Sequence, residues 1–100
     1  MKLFEPIKIG NVELKNRVIM APMENGMAEV GTGEVTDRII AFFEERAQHN
    51  IAMIMPGSIG VSPEGRGLPT QLSLFDEKQV AGHKRLVDAI HSKGSLVAAQ

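Results

Sequence analysis

The chain has 100 residues, of which 23% are charged and 43% hydrophobic, the composition of an ordinary globular domain or of part of a larger one. Eleven basic against twelve acidic side chains leave a formal charge of −1, so no basic field exists to hold a phosphate backbone, and nucleic acid is not an expected partner. The absence of cysteine excludes a disulfide scaffold and Cys-ligated zinc or iron–sulfur sites within these residues.

The N-terminus, Met1-Lys2-Leu3-Phe4-Glu5-Pro6, lacks the apolar core of a signal peptide, and no apolar run approaches the roughly 18 residues of a membrane span. A soluble cytoplasmic protein is the expectation. Ile7-Lys8-Ile9 and Val12-Glu13-Leu14 alternate apolar and polar residues around Gly10-Asn11, a two-residue turn with positive-φ capacity at both positions, which predicts a β-hairpin. A strand is predicted from Arg17 to Ala21, because Pro22 cannot donate to a sheet ladder. The stretch from Pro22 to about Val35 is longer than the roughly 2–6 residues usual for a strand-to-helix connection, and long loops of this kind commonly carry function.

Thr36 is the expected N-cap of a helix, with Asp37 in its first turn and Ile39, Ile40, Phe42, Phe43 and Ala47 as its apolar stripe. Both phenylalanines read as core. His49-Asn50 closes this helix, asparagine being able to take the left-handed conformation. Ile51 to Met55 is apolar without alternation, the pattern of a strand buried on both faces, and Pro56 ends it. A second long loop runs from Val61 to Leu74. Asp76 and Gln79 have capping-box spacing, and Val80, His83, Val87 and Ile90, widened by Leu86, fall on one helical face that ends at Lys93-Gly94. His83 reads as a packing residue, His49 and His91 as helix-surface residues. Ser95 to Gln100 reads as a third strand on which the sequence stops, so a fragment of a longer chain is expected.

The order hairpin, β, α, β, α, β predicts right-handed crossovers and a parallel sheet. Strand-to-strand spacings of about 34 and 45 residues suit an eight-stranded barrel, which uses about 31 residues per unit. The fold class is therefore α/β, with 1–100 as the N-terminal part of a TIM (β/α)8 barrel: a hairpin plus about three βα units. An open doubly wound sheet fits the periodicity nearly as well. The dinucleotide fingerprint is missing, since Gly31-Thr32-Gly33 does not directly follow a strand and Thr36 stands where the third glycine is needed.

What remains is positional. Ala21-Pro22-Met23, Pro56-Gly57-Ser58 and Gln100 each stand at the carboxyl end of a predicted strand, the end at which barrels build their sites. Small residues there admit a flat ligand to the backbone, and loop N–H groups can bind its heteroatoms. Met20, Met53 and Met55 read as core, whereas Met23, past its strand, is a candidate ligand contact. The primary amide of Gln100, following an apolar strand, wants partners for both donor and acceptor, and a flavin edge offers both.

These residues resemble the N-terminal portion of the Old Yellow Enzyme family, the FMN-dependent NADH:flavin oxidoreductases and ene-reductases. The resemblance lies in Leu3-Phe4-Glu5-Pro6-Ile7-Lys8-Ile9-Gly10, Leu14-Lys15-Asn16-Arg17-Val18, Met20-Ala21-Pro22-Met23, Pro63-Glu64-Gly65-Arg66 and Gln100, and it covers the whole chain. Asn25-Gly26 looks closer to the 2,4-dienoyl-CoA reductase-like branch. The resemblance implies a single FMN-binding barrel domain, with FMN over the C-terminal rim, NAD(P)H as reductant and a small activated alkene as substrate. Ala21, Pro22 and Met23 would line the flavin, Gly57 would give it room, and Gln100 would bond its pyrimidine edge.

Family members often carry a Thr or Cys after the Pro-Met pair that hydrogen-bonds the flavin and sets its potential; here the residue is Glu24. An ionised carboxylate would disfavour reduction, a neutral one could donate a hydrogen bond, and the alternatives are that Glu24 points outward or that Asn25 takes the role. The substrate-binding histidines, the proton donor, the phosphate-binding loops and any Fe–S cysteines would lie beyond residue 100, so no catalytic residue is assigned here. Three strands of eight cannot close a barrel, and residues 1–100 alone are expected to be weakly stable and inactive. A phosphate-binding barrel lyase or isomerase and a non-catalytic truncated barrel are the alternative readings. The former would gain from a Schiff-base lysine at a strand end, which these strands lack.

Overall fold

The computed structural model describes residues 1–100. A short 3₁₀ turn (Lys2–Phe4) precedes the hairpin of β1 (Ile7–Ile9) and β2 (Val12–Leu14), whose antiparallel register pairs Ile7 with Leu14 and Ile9 with Val12. The apolar side chains therefore share one face, and Lys8 lies opposite Glu13 on the other, a favourable cross-strand charge pair. Of the two turn residues only Gly10 takes positive φ (+59°), so Asn11 does not use its capacity. That is the φ pattern of a type II′ turn, which asks for glycine only at its first central position.

The remaining elements are β3 (Ile19–Met20), α1 (Asp37–Ala47), β4 (Met53–Ile54), α2 (Glu77–Ser92) and β5 (Leu96–Val97). The strands form one parallel sheet in the order β3-β4-β5, with Ile19 beside Met53 and Met53 beside Leu96. They are shorter than the apolar runs predicted. Arg17 is drawn away from the sheet, its N–H donating to the carbonyl of Leu3, and Pro22 and Pro56 close the other ends.

Both crossovers step in the same direction and share one hand, so both helices cover the same face of the sheet. They pack against each other there. This is the barrel arrangement; a doubly wound sheet reverses its strand order to put helices on both faces. One covered face also corrects the expectation for residues 51–55. Burial alternates: Ala52 and Ile54 are buried under the helices, whereas Ile51, Met53 and Met55 are half-buried.

The core lies between sheet and helices. Ile39, Phe43 and Ala47 from α1 meet Leu86 and Ile90 from α2, Ile54 from β4, and Ala28, Val35 and Leu72 from the loops. Phe42 is half-buried, edge-on to Phe43 with ring centroids 5.1 Å apart, and the Arg46 guanidinium lies 3.5 Å from its ring centroid. In α2 the buried face runs through Gln79, Leu86 and Ile90, so Val80, predicted to face inward, is exposed. Gln79, the residue before it, turns inward to serve the cap, and the adjacent Val80 is thereby rotated toward solvent.

The caps form as predicted. Thr36 accepts from the Ile39 N–H, and Asp76 and Gln79 complete a capping box. Gln79 also donates to the carbonyl of Thr32 across the loop. Asn50 takes φ of 62° and ends the first helical unit. His83 is half-buried with its ring nitrogen 3.0 Å from the Ser73 carbonyl, while His49 and His91 are exposed.

Asn16 is 2% exposed and joins two parts of the fold. Its amide donates to the Asn50 carbonyl (2.7 Å), and its side-chain oxygen accepts from the Val18 N–H (2.9 Å). Asn16→Ala strands both partners and is expected to cost about 2–4 kcal/mol of the full-length protein's stability. Urea denaturation checks this, with exposed Lys15→Ala as the control expected to stay within about 0.5 kcal/mol.

Candidate functional site

The parallel sheet delivers its three carboxyl ends side by side. Hydrogen bonds continue past the strands: Met55 N–H to the Met20 carbonyl (3.1 Å), Ala98 N–H to the Ile54 carbonyl (3.1 Å) and Ile59 N–H to the Gln100 carbonyl (2.8 Å). The segments 21–24, 57–59 and 98–100 therefore make one continuous rim. Among the residues singled out from the sequence, Ala21, Met23, Glu24 and Gln100 are exposed, Pro22 is half-buried and Gly57 is buried.

Gly57 is the closest joint in this rim. A Cβ there would lie 2.7 Å from the Met23 carbonyl oxygen and 3.0 Å from Glu24 Cα. The missing side chain thus makes room for the neighbouring backbone. The N–H groups of Met23, Glu24, Gly57, Ser58, Ala99 and Gln100 donate to no group within the chain, leaving a row of unspent donors along the strand ends. Gln100 lies three residues past β5, its carbonyl tied to the segment after β4, and it is exposed.

Glu24 is fixed from the second loop. The Ser58 hydroxyl donates to Glu24 Oε2 (2.9 Å). Gln71, 6% exposed, donates from its amide to Ser58 Oγ (3.0 Å) and carbonyl (3.3 Å), and its own oxygen accepts from the Gly67 N–H (2.6 Å). Asn25 is occupied locally, its side-chain oxygen accepting from the Met27 N–H (3.1 Å). Sequence reasoning placed Ser58 among the small rim residues and did not single out Gln71. A glutamine inside an irregular loop carries no periodicity that reports its burial.

The largest cavity lies elsewhere. About 370 Å³ in volume, it sits between the two long loops and the start of α2, with Arg66, Lys78, Glu34 and Asp76 among its lining residues. None of the rim residues lines it. Arg66 ties the loops together by donating to the carbonyls of Gly31 and Pro69. No three acidic or histidine side chains gather closely enough to hold a metal ion, and no helix is long and apolar enough to cross a membrane.

A hairpin followed by parallel strands in sequence order, helices on one face and a rim of strand ends defines the N-terminal part of a TIM barrel. The chain belongs to the NADH:flavin oxidoreductase / NADH oxidase family, the Old Yellow Enzyme family, whose match spans residues 2–100. It is similar to the metal reductase of Desulforamulus reducens (38% identity, 98% of this chain, 14% of the relative) and the NADH oxidase of Thermoanaerobacter brockii (34%, 98% and 15%). Among solved structures, the 2-naphthoyl-CoA reductase–2-naphthoyl-CoA complex superposes with a TM-score of 0.95 at 32% identity, over 99% of this chain and 15% of that one. The chain thus spans about one seventh of the length of the first two relatives.

Proposed function

We propose that the protein to which these residues belong is an FMN-dependent oxidoreductase that moves hydride from NAD(P)H to an activated alkene of enone or enoyl type. The observation that carries this reading is the rim of unspent N–H donors, set among small residues, in a chain of the flavin oxidoreductase family. Such donors match the carbonyl and ring-nitrogen acceptors of a flavin. The names of the relatives support the redox class, and the 2-naphthoyl-CoA complex supports a conjugated thioester as one substrate type.

In this reading Ala21, Pro22 and Met23 pack along the ring, the Gly57 and Ser58 N–H groups hold its heteroatoms, and the Gln100 amide bonds its pyrimidine edge. The chemistry supplied by the bound cofactor is hydride acceptance from NAD(P)H and hydride delivery to the alkene β-carbon. Residues 1–100 contribute binding and orientation; the matching proton comes from a group outside them. A dependence on NAD(P)H fits a cytoplasmic location.

The test is purification of the full-length protein. It is expected to be yellow, to release FMN on denaturation, to bleach anaerobically with NADH or NADPH, and to regain colour with an enone or enoyl thioester. A colourless protein that binds no added FMN would falsify the reading.

A further inference from the structure

We propose that Ser58 and Gln71 are positioning residues that hold the Glu24 carboxylate at the rim, and that this fixed charge lowers the reduction potential of the flavin seated there. The inference rests on the reading of the rim as a flavin seat. Glu24 is the only ionisable side chain in the segments 20–25, 55–60 and 96–100, so it is the only charge this part of the rim presents.

An exposed glutamate ordinarily samples several rotamers, and its charge is spread over all of them. Here a directional chain of hydrogen bonds selects one arrangement. It begins at a backbone N–H, which can only donate. The Gly67 N–H meets Gln71 Oε1, and this fixes which way round the Gln71 amide stands. The Gln71 amide nitrogen must then donate to Ser58 Oγ. With an incoming donor on its oxygen, the Ser58 hydroxyl is left to donate onward, and its acceptor is the Glu24 carboxylate. A hydrogen bond to a charged acceptor is the stronger kind. The backbone is fixed as well, because Gly57 brings the second strand end against Met23 and Glu24 Cα. The orientation of Glu24 is thus determined by the loop 61–74, through a residue that never reaches the rim surface.

Reduction by NAD(P)H adds two electrons and one proton to the flavin, a net gain of one negative charge. A carboxylate held on the same rim opposes that gain and favours the oxidised form. A carboxylate released to solvent opposes it less, because water screens it and its mean distance grows.

The experiment measures flavin midpoint potentials of the full-length holoprotein against reference dyes, for wild type, Glu24→Gln, Ser58→Ala and the double variant. Glu24→Gln is expected to favour reduction about tenfold, a rise of about 30 mV for a two-electron couple. Ser58→Ala is expected to give a part of that rise, and the double variant no more than Glu24→Gln alone, since the Ser58 hydroxyl acts only through the charge and the backbone N–H is retained. Both substituted side chains are exposed, so folding is retained, and matching melting temperatures check this. A flavin-loaded protein whose potential is unmoved in Glu24→Gln overturns the assignment and leaves the rim reading standing. Additive shifts in the double variant overturn the positioning role of Ser58. A wild type that holds no FMN removes the rim reading and this assignment together.

Discussion

Replacing Phe43 by alanine is expected to destabilise the full-length protein by about 3–5 kcal/mol, a large share of the 5–15 kcal/mol typical of a folded domain. Phe43 is 1% exposed, and the helices, β4 and the loops all converge on it. Its ring cannot be replaced by a shift of neighbours, because Ile39, Ile54, Leu86 and Ile90 are themselves fully buried and already held by sheet or helix. Phe42→Ala is the internal comparison. Its ring is half-buried and covered partly by the Arg46 guanidinium, so about 1–2 kcal/mol is expected. Equal losses in the two variants, read as urea midpoints, would show that the core is not centred where the packing puts it.

Gly33→Ala is the second large effect, and it connects stability to the site. Gly33 has φ of +71°, and an added Cβ would lie 2.2 Å from Ser73 Oγ and 2.7 Å from the Gln71 carbonyl. The left-handed backbone and the overlap together are expected to cost about 2–4 kcal/mol. The clash falls on the segment that carries Gln71, so in the full-length protein the variant should also loosen the residues that hold Glu24. Gly31 gives a clean contrast: its φ is +85° but nothing lies within 4 Å of an added Cβ. Gly31→Ala therefore carries only the backbone cost, about 1–2 kcal/mol. A melting series of the two variants checks the difference.

What could be read from the sequence was what depends on near neighbours. Asp76 and Gln79 declare a helix start because the two bonds of a capping box join residues three apart. Asn50 declares a helix end because few side chains tolerate its conformation. The alternation of strands and helices, with prolines at strand ends, was enough to predict a parallel sheet. It could not choose between barrel and open sheet, since that depends on strand order, which periodicity does not encode. Val80 shows the limit within a helix: its apolar character suits the buried face, but Gln79 takes that place by bonding both to its own helix start and to Thr32, 47 residues away. The candidate site divides in the same way. Pro22, Gly57 and Gln100 could be found because strand ends are visible. The Glu24–Ser58–Gln71 chain spans separations of 34 and 13 residues, and no local pattern announces it.

The strand order has a consequence for how the protein is made. β4 lies beside β3 and β5 beside β4, so within this sheet each later strand adjoins the one synthesised just before it. A nascent chain leaving the ribosome can therefore extend the sheet in the order of translation, and no strand must be prised apart to admit a later one. At about 5–20 residues per second, a unit of roughly 40 residues arrives every few seconds, far slower than helix formation or loop closure. Each unit has time to settle before the next emerges. Throughout that interval the newest strand presents an unpaired edge, the kind of surface that invites pairing with another chain.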